Sequence, residues 1–104
     1  MAVRVNGENF EAEVLGADKA VIADFYSDSC VPCKRLSPVL AEIEEEYGGK
    51  VKLVKININF DAELAEKYEV QTVPTLVFFK NGAEASRQSG ALKKADIVSE
   101  IDKL

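Results

Sequence analysis

The sequence predicts an α/β fold, a three-layer α/β/α sandwich around a mixed five-stranded sheet. Three observations carry that expectation. Strand-like and helix-like stretches alternate along the first three-quarters of the chain, which implies parallel strands with helices on both faces. An Asn81-Gly82 pair between two extended stretches then signals a hairpin, which adds antiparallel strands. A final amphipathic stretch supplies a helix to cover the sheet. With 104 residues, 47% of them apolar and 30% charged, the chain suits one soluble domain spanning 1–104 with a modest core.

The elements follow in order. Residues 2–5 form a short strand ended by Asn6-Gly7. Residues 9–15 suit a short helix with Phe10 and Val14 on one face, broken by Gly16. Residues 20–26 are apolar nearly throughout, as expected of a strand covered on both faces. Asp24 is the exception, since a carboxylate inside such a run is costly unless paired, solvated or protonated. It reads either as a strand-end acid reaching water or as a buried one. Residues 34–47 form an amphipathic helix with Leu36, Val39, Leu40, Ile43 and Tyr47 on one stripe, kinked at Pro38 and ended by Gly48-Gly49. Residues 51–58 alternate as a strand that puts Lys55 on the face of Val51 and Leu53. Asp61 is the expected cap of a short helix carrying Leu64, Ala65 and Tyr68. Strands over 75–80 and 84–89 flank the hairpin, and 93–104 closes the chain with Ile97, Ile101 and Leu104 on one face.

The chemistry concentrates at the end of the second strand. The two cysteines of the chain, Cys30 and Cys33, lie two residues apart where that strand stops and the long helix starts. A helix entry has free N–H groups and the positive end of the macrodipole, and both favour the thiolate, the reactive form of cysteine. Pro32 fits the first helical turn, where its missing N–H costs nothing. A zinc site lacks ligands, because the chain has no histidine and no further cysteine. A structural disulfide over so short a loop would contribute roughly 2 kcal/mol, against roughly 3 for fifteen residues. Two inert thiols beside a proline at a helix entry are a poor fit for core filling. A C-x-x-C between strand and helix reads as a thiol–disulfide pair.

Composition excludes other classes. A net charge of −5 argues against nucleic-acid binding. No apolar run is long enough to span a membrane, and the first residues lack a basic-then-apolar leader, so the expected location is the cytoplasm, where cysteine pairs are more often catalytic than structural.

Several stretches together resemble the thioredoxin family: Asp24 six residues ahead of Cys30, the sequence Cys30-Val31-Pro32-Cys33-Lys34, Thr72-Val73-Pro74-Thr75, Lys80-Asn81-Gly82, and Gly90-Ala91. The match covers almost the whole chain at consistent spacing. The resemblance implies the thioredoxin fold, a cis peptide before Pro74, and a substrate-binding surface built from Ser29, Val73, Pro74, Gly90 and Ala91. It favours a buried Asp24 beneath Cys33, with Lys55 close by as its charge partner. Ser29 and Val31 depart from the family, which usually has tryptophan before the first cysteine and glycine after it.

The expected reaction is protein-disulfide reduction. Cys30, nearest the solvent, is the nucleophile that forms a mixed disulfide with a target; Cys33 then resolves it. Asp24 is the candidate proton acceptor for Cys33, since no histidine exists. Burial raises its pKa and a nearby Lys55 lowers it. Oxidising relatives place a histidine between the cysteines; Val31 and Pro32 offer no charge or donor, so the expected potential is near about −270 mV, that of a reductant. The chain carries no flavin or nicotinamide fingerprint and no metal set, so no cofactor is expected beyond the redox pair. Electrons would come from a partner that the resemblance implies is thioredoxin reductase, and the chain is expected to act as a monomer. A binding module with an incidental cysteine pair, and an oxidase or isomerase of disulfides, are the competing classes.

Overall fold

A computed structural model describes residues 3–90 and 92–104. Five strands form one mixed sheet: β1 (Val3–Arg4), β2 (Ala20–Tyr26), β3 (Val51–Asn57), β4 (Thr75–Lys80) and β5 (Ala83–Ser89). Their spatial order is β1-β3-β2-β4-β5. The pairs β1–β3 and β2–β3 are parallel, whereas β2–β4 and β4–β5 are antiparallel. Parallel neighbours need crossovers. The connection from β2 to β3 carries α1 (Val31–Tyr47), and α2 (Ala62–Lys67) lies between β3 and β4. The helix α3 (Lys94–Asp102) follows β5. The expected α/β/α sandwich of the thioredoxin fold is therefore the observed one.

Strand alternation divides the core into two layers. On one face Ile22, Leu53, Leu76 and Phe78 meet Leu36, Leu40 and Ile43 of α1 and Ile97 and Ile101 of α3. On the other, Val21, Ala23, Phe25, Val54, Ile56, Val77 and Phe79 meet Val5, Phe10, Val14 and Leu64. Ile43 has no exposed surface; its truncation to alanine would leave a cavity and cost about 2–5 kcal/mol. That layer matters most for the site, because it seats α1 against β2 and so fixes where the helix begins.

Boundaries differ from expectation in a few places, each for a local reason. The helix α1 begins at Val31, three residues before the expected start, because the N-cap is Cys30 itself. Helical structure continues on both sides of Pro38, so the one lost backbone bond does not end it. The short helix near Phe10 is a π-helical turn over Glu11–Leu15, with the Gly16 N–H donating to the Glu11 carbonyl at 2.8 Å. Asp61 occupies the N-cap of α2 but makes no side-chain cap bond; its Oδ1 accepts from the Gly7 N–H at 3.1 Å and ties the first loop to this helix. At the hairpin, Asn81 and Gly82 take φ of 56° and 80°, the left-handed pair that a two-residue turn requires. Ala2 of the first strand and Ala91 of the expected binding surface lie outside the described residues.

Candidate active site

Everything at the redox pair follows from β2 ending where α1 begins. The Tyr26 end of β2 runs into a turn in which the Cys30 N–H donates to the Ser27 carbonyl at 3.3 Å. Cys30 has extended backbone angles (φ −84°, ψ 109°), as an N-cap residue should. Its Sγ accepts the Cys33 N–H at 3.1 Å. The sulfur thus replaces the oxygen of an ordinary cap, satisfies one of the free donors of the first turn, and lies on the positive end of a seventeen-residue helix. The same contact that caps the helix stabilises negative charge on this sulfur. The two cysteines are joined as a disulfide with their Cα atoms 5.2 Å apart, so the structure describes the oxidised form.

Whole-residue exposure does not separate the cysteines as expected. Cys30 is 8% exposed and Cys33 is 7%, so Cys30 is not distinguished by greater access. What differs is the surroundings. Ser29 and Val31, either side of Cys30, are exposed, Val31 by 55%. Cys33 instead lines a cavity of about 140 Å3 with Asp24, Tyr26, Ser27, Asp28, Lys34, Ser37 and Lys55.

Asp24 is the buried acid, 3% exposed, and not a strand-end residue in water. It lies on the α1 face because it follows Ile22 by two, with Lys55 as its register partner on β3 and Leu76 on β4. Among the described residues its Oδ1 has no hydrogen-bond partner. Burial therefore opposes ionisation, and the pKa rises from the ordinary 3.8 to about 6, with the charge of Lys55 pulling it back down. Lys55 does reach Asp24 electrostatically, yet it forms no ion pair with it among the described residues. Its Nζ stands 5.0 Å from the centroid of the Tyr26 ring, a cation–π arrangement.

The Pro74 loop comes to the same end of the sheet by register. Thr75 pairs with Phe25 on one side and with Ser89 on the other. Pro74 and Gly90 consequently flank the end of β2 from which the cysteine turn leaves. The Val73–Pro74 peptide is cis, Gly90 has φ +92°, and the Gly90 N–H donates to the Pro74 carbonyl at 3.1 Å. Thr75 Oγ1 donates to the Thr72 carbonyl at 2.7 Å and closes the loop.

Three contributors were not singled out in the sequence. Asn57, at the end of β3, donates from Nδ2 to Asp28 Oδ2 at 3.2 Å and accepts the Asn59 N–H at 2.9 Å, so it binds the cysteine turn to the next loop. Tyr26 holds Lys55. Ser37 puts a hydroxyl on the cavity that Asp24 and Cys33 share. Period-two alternation finds the first two, since Tyr26 follows Asp24 and Asn57 follows Lys55 by two residues. Ser37, one turn after Cys33 on α1, is found by helical periodicity.

With this geometry in place, comparison with known proteins decides the family. The family model described as Thioredoxin matches residues 1–103. The chain belongs to the thioredoxin family. It is 40% identical over 100 residues to thioredoxin C-2 of Corynebacterium nephridii, covering 96% of this chain and 93% of that protein. Thioredoxin of Pseudomonas aeruginosa is 39% identical over 100 residues, with the same coverage. A chloroplastic M-type thioredoxin of Pisum sativum is 34% identical over 99 residues, which is 95% of this chain and 58% of the pea protein. Family and paired cysteines together make this thioredoxin-family protein a thiol–disulfide oxidoreductase that acts on protein disulfides. Such a protein works between disulfide-containing targets and a reductase. Among the described residues, no helix is long and apolar enough to cross a membrane.

Proposed function

We propose that this single-domain, monomeric protein runs the exchange in the reducing direction, in the cytoplasm, with thioredoxin reductase as electron donor. The observation that carries the assignment of roles is the asymmetry of the two sulfurs: Cys30 caps the helix, whereas Cys33 lines the cavity that holds Asp24. The Cys30 thiolate attacks one sulfur of a target disulfide; a new S–S bond forms, and the other target sulfur leaves as a thiolate that takes a proton from solvent. Cys33 then loses its proton toward Asp24 and attacks Cys30 Sγ. The mixed disulfide breaks, the second target sulfur leaves as a thiolate that takes up a proton from Asp24 or solvent, and Cys30–Cys33 becomes the disulfide seen here. Two electrons have passed from the dithiol to the target, and the reductase returns them.

Asp24 suits the proton step because its pKa near 6 lets a fraction of the carboxyl accept and return a proton close to neutrality. The cavity is roomy enough for water to carry that proton between carboxylate and thiol. Lys55 keeps the site from being pushed still further toward the neutral acid. Ser29, Val73, Pro74, Gly90 and Ala91 are the proposed surface for the target chain, and the cis-Pro74 loop can pair with an extended segment. Val31 and Pro32, both exposed beside Cys30, place no charge between the sulfurs, which fits a potential near about −270 mV. The redox pair is the only electron store the mechanism requires.

Dithiothreitol-driven reduction of insulin followed by a redox titration tests this reading. It expects turnover and a reducing potential; an equilibrium near about −120 mV, with net oxidation of dithiols, would assign the oxidase class.

A further inference from the structure

A second cavity shares a wall with the redox cavity. It measures about 200 Å3, and its lining includes Arg4, Tyr26, Lys55, Asn57, Phe60 and Asp61. Tyr26 and Lys55 line both cavities. Phe60 rims the second one from the turn after β3, where its own N–H and that of Asp61 both donate to the Asn57 carbonyl, at 3.1 and 2.9 Å. Its ring is held in water: at 78% exposed, Phe60 is the most exposed of the large apolar residues among those described. A solitary exposed ring needs no explanation, but this one borders a cavity that shares Tyr26 and Lys55 with the redox cavity. The Asn57–Asp28 hydrogen bond joins the Phe60 turn directly to the turn that carries Ser29 and Cys30.

Charge points the same way. The chain carries a net −5, yet neither Arg4 nor Lys55 has a carboxylate within ion-pair distance among the described residues. The one acid in the lining, Asp61, already has its Oδ1 engaged by the Gly7 N–H. The cavity therefore offers an aromatic rim and two cations that, among the described residues, form no ion pair, Lys55 being held over the Tyr26 ring.

We propose that this cavity is a docking subsite for the stretch of a target protein that flanks its disulfide, taking an apolar side chain against Phe60 and a carboxylate between Arg4 and Lys55. The proposal rests on the exchange activity, which brings the target disulfide to Cys30, and adds a preference for acidic–apolar flanks. Such complementarity acts on encounter and selectivity among targets.

The test uses the full chain, reduced beforehand, and peptide disulfides flanked by Phe-Glu, Phe-Lys or Gly-Gly. A small aromatic disulfide serves as the control. Stopped-flow rates should favour the Phe-Glu peptide over the Phe-Lys peptide by about tenfold at low salt, a preference that shrinks as salt rises. Phe60→Ser and Arg4→Gln should each reduce that preference to within about twofold, while reduction of the small disulfide is unchanged. Equal rates for all peptides would overturn the proposal, as would a preference that survives both substitutions. So would a loss confined to turnover with the reductase, or a concentration-dependent dimer abolished by Phe60→Ser, since these assign the surface to another occupant. Failure to reduce even the small disulfide would contradict the exchange chemistry itself, and the subsite with it.

Discussion

Asp24 and Lys55 are register partners on adjacent parallel strands, yet the Lys55 ammonium lies over the Tyr26 ring and not on the Asp24 carboxylate. The acid is left buried with one oxygen unpartnered among the described residues. A close ion pair would have lowered the carboxylate's proton affinity and spoiled it as a base near neutrality. The looser arrangement leaves desolvation as the larger effect.

Kinetics should separate the two attacks. Asp24→Asn retains shape and removes basicity, so release of the target should slow more than formation of the mixed disulfide. Stopped-flow measurement of both steps checks this; equal losses would argue against a base that serves Cys33 alone.

Stability should depend on pH through the same residue. The folded pKa of Asp24 is raised, to about 6 from 3.8. Below the lower value the acid is protonated folded or unfolded, and it makes no difference. Between about 4 and 6 the unfolded chain gives up the proton while the folded protein keeps it, so stability falls as pH rises; above 6 the full penalty applies. That penalty is on the order of 3 kcal/mol. Asp24→Asn should therefore stabilise the protein by up to about that amount at pH 8 and by little at pH near 3.5. Urea melts at the two pH values give the comparison.

Lys55→Met should raise the Asp24 pKa further, since it removes the one charge that lowers it. The pH midpoint of target release should move upward, and titration of the Asp24 carboxyl by NMR should show the same direction. A downward shift would contradict the electrostatic role of Lys55.

Ser29 and Val31 are both exposed beside Cys30, where a target or reductase must approach. Truncating an apolar contact residue commonly costs less than about 2 kcal/mol. Val31→Gly should lower kcat/KM with the native reductase several-fold and leave small aromatic disulfides nearly untouched. Ser29→Trp should improve activity with reductases of tryptophan-bearing thioredoxin systems and weaken it with the native one. Identical kcat/KM for both variants with native and foreign reductases would show that neither position reads the partner.

The fold was legible where signals are local. The apolar run of β2, the stripe on α1 and the Asn81-Gly82 turn each specify an element within a few residues of its observed ends. The redox pair was legible for the same reason, since cysteine spacing and the strand–helix boundary lie in one short stretch. Burial of Asp24 was legible only through the family resemblance, because the residues of β2 alone do not show how α1, β3 and β4 close around it. The Asn57–Asp28 and Tyr26–Lys55 contacts needed the β2–β3 register, which alternation within each strand leaves open. Equal exposure of the two cysteines was hidden too: sequence places Cys30 at a helix entry without showing how the surrounding turn covers it.

The division of labour between the sulfurs is tested most directly by trapping. Cys33→Ser, reduced and mixed with an excess of a disulfide-bonded target in the absence of other thiols, should perform one attack and stop. Mass spectrometry should find one target joined to Cys30 per chain, and Cys30→Ser should yield no such adduct and no reduction. Continued turnover by Cys33→Ser without added thiol, or an adduct on Cys33 in the unsubstituted protein, would contradict the account.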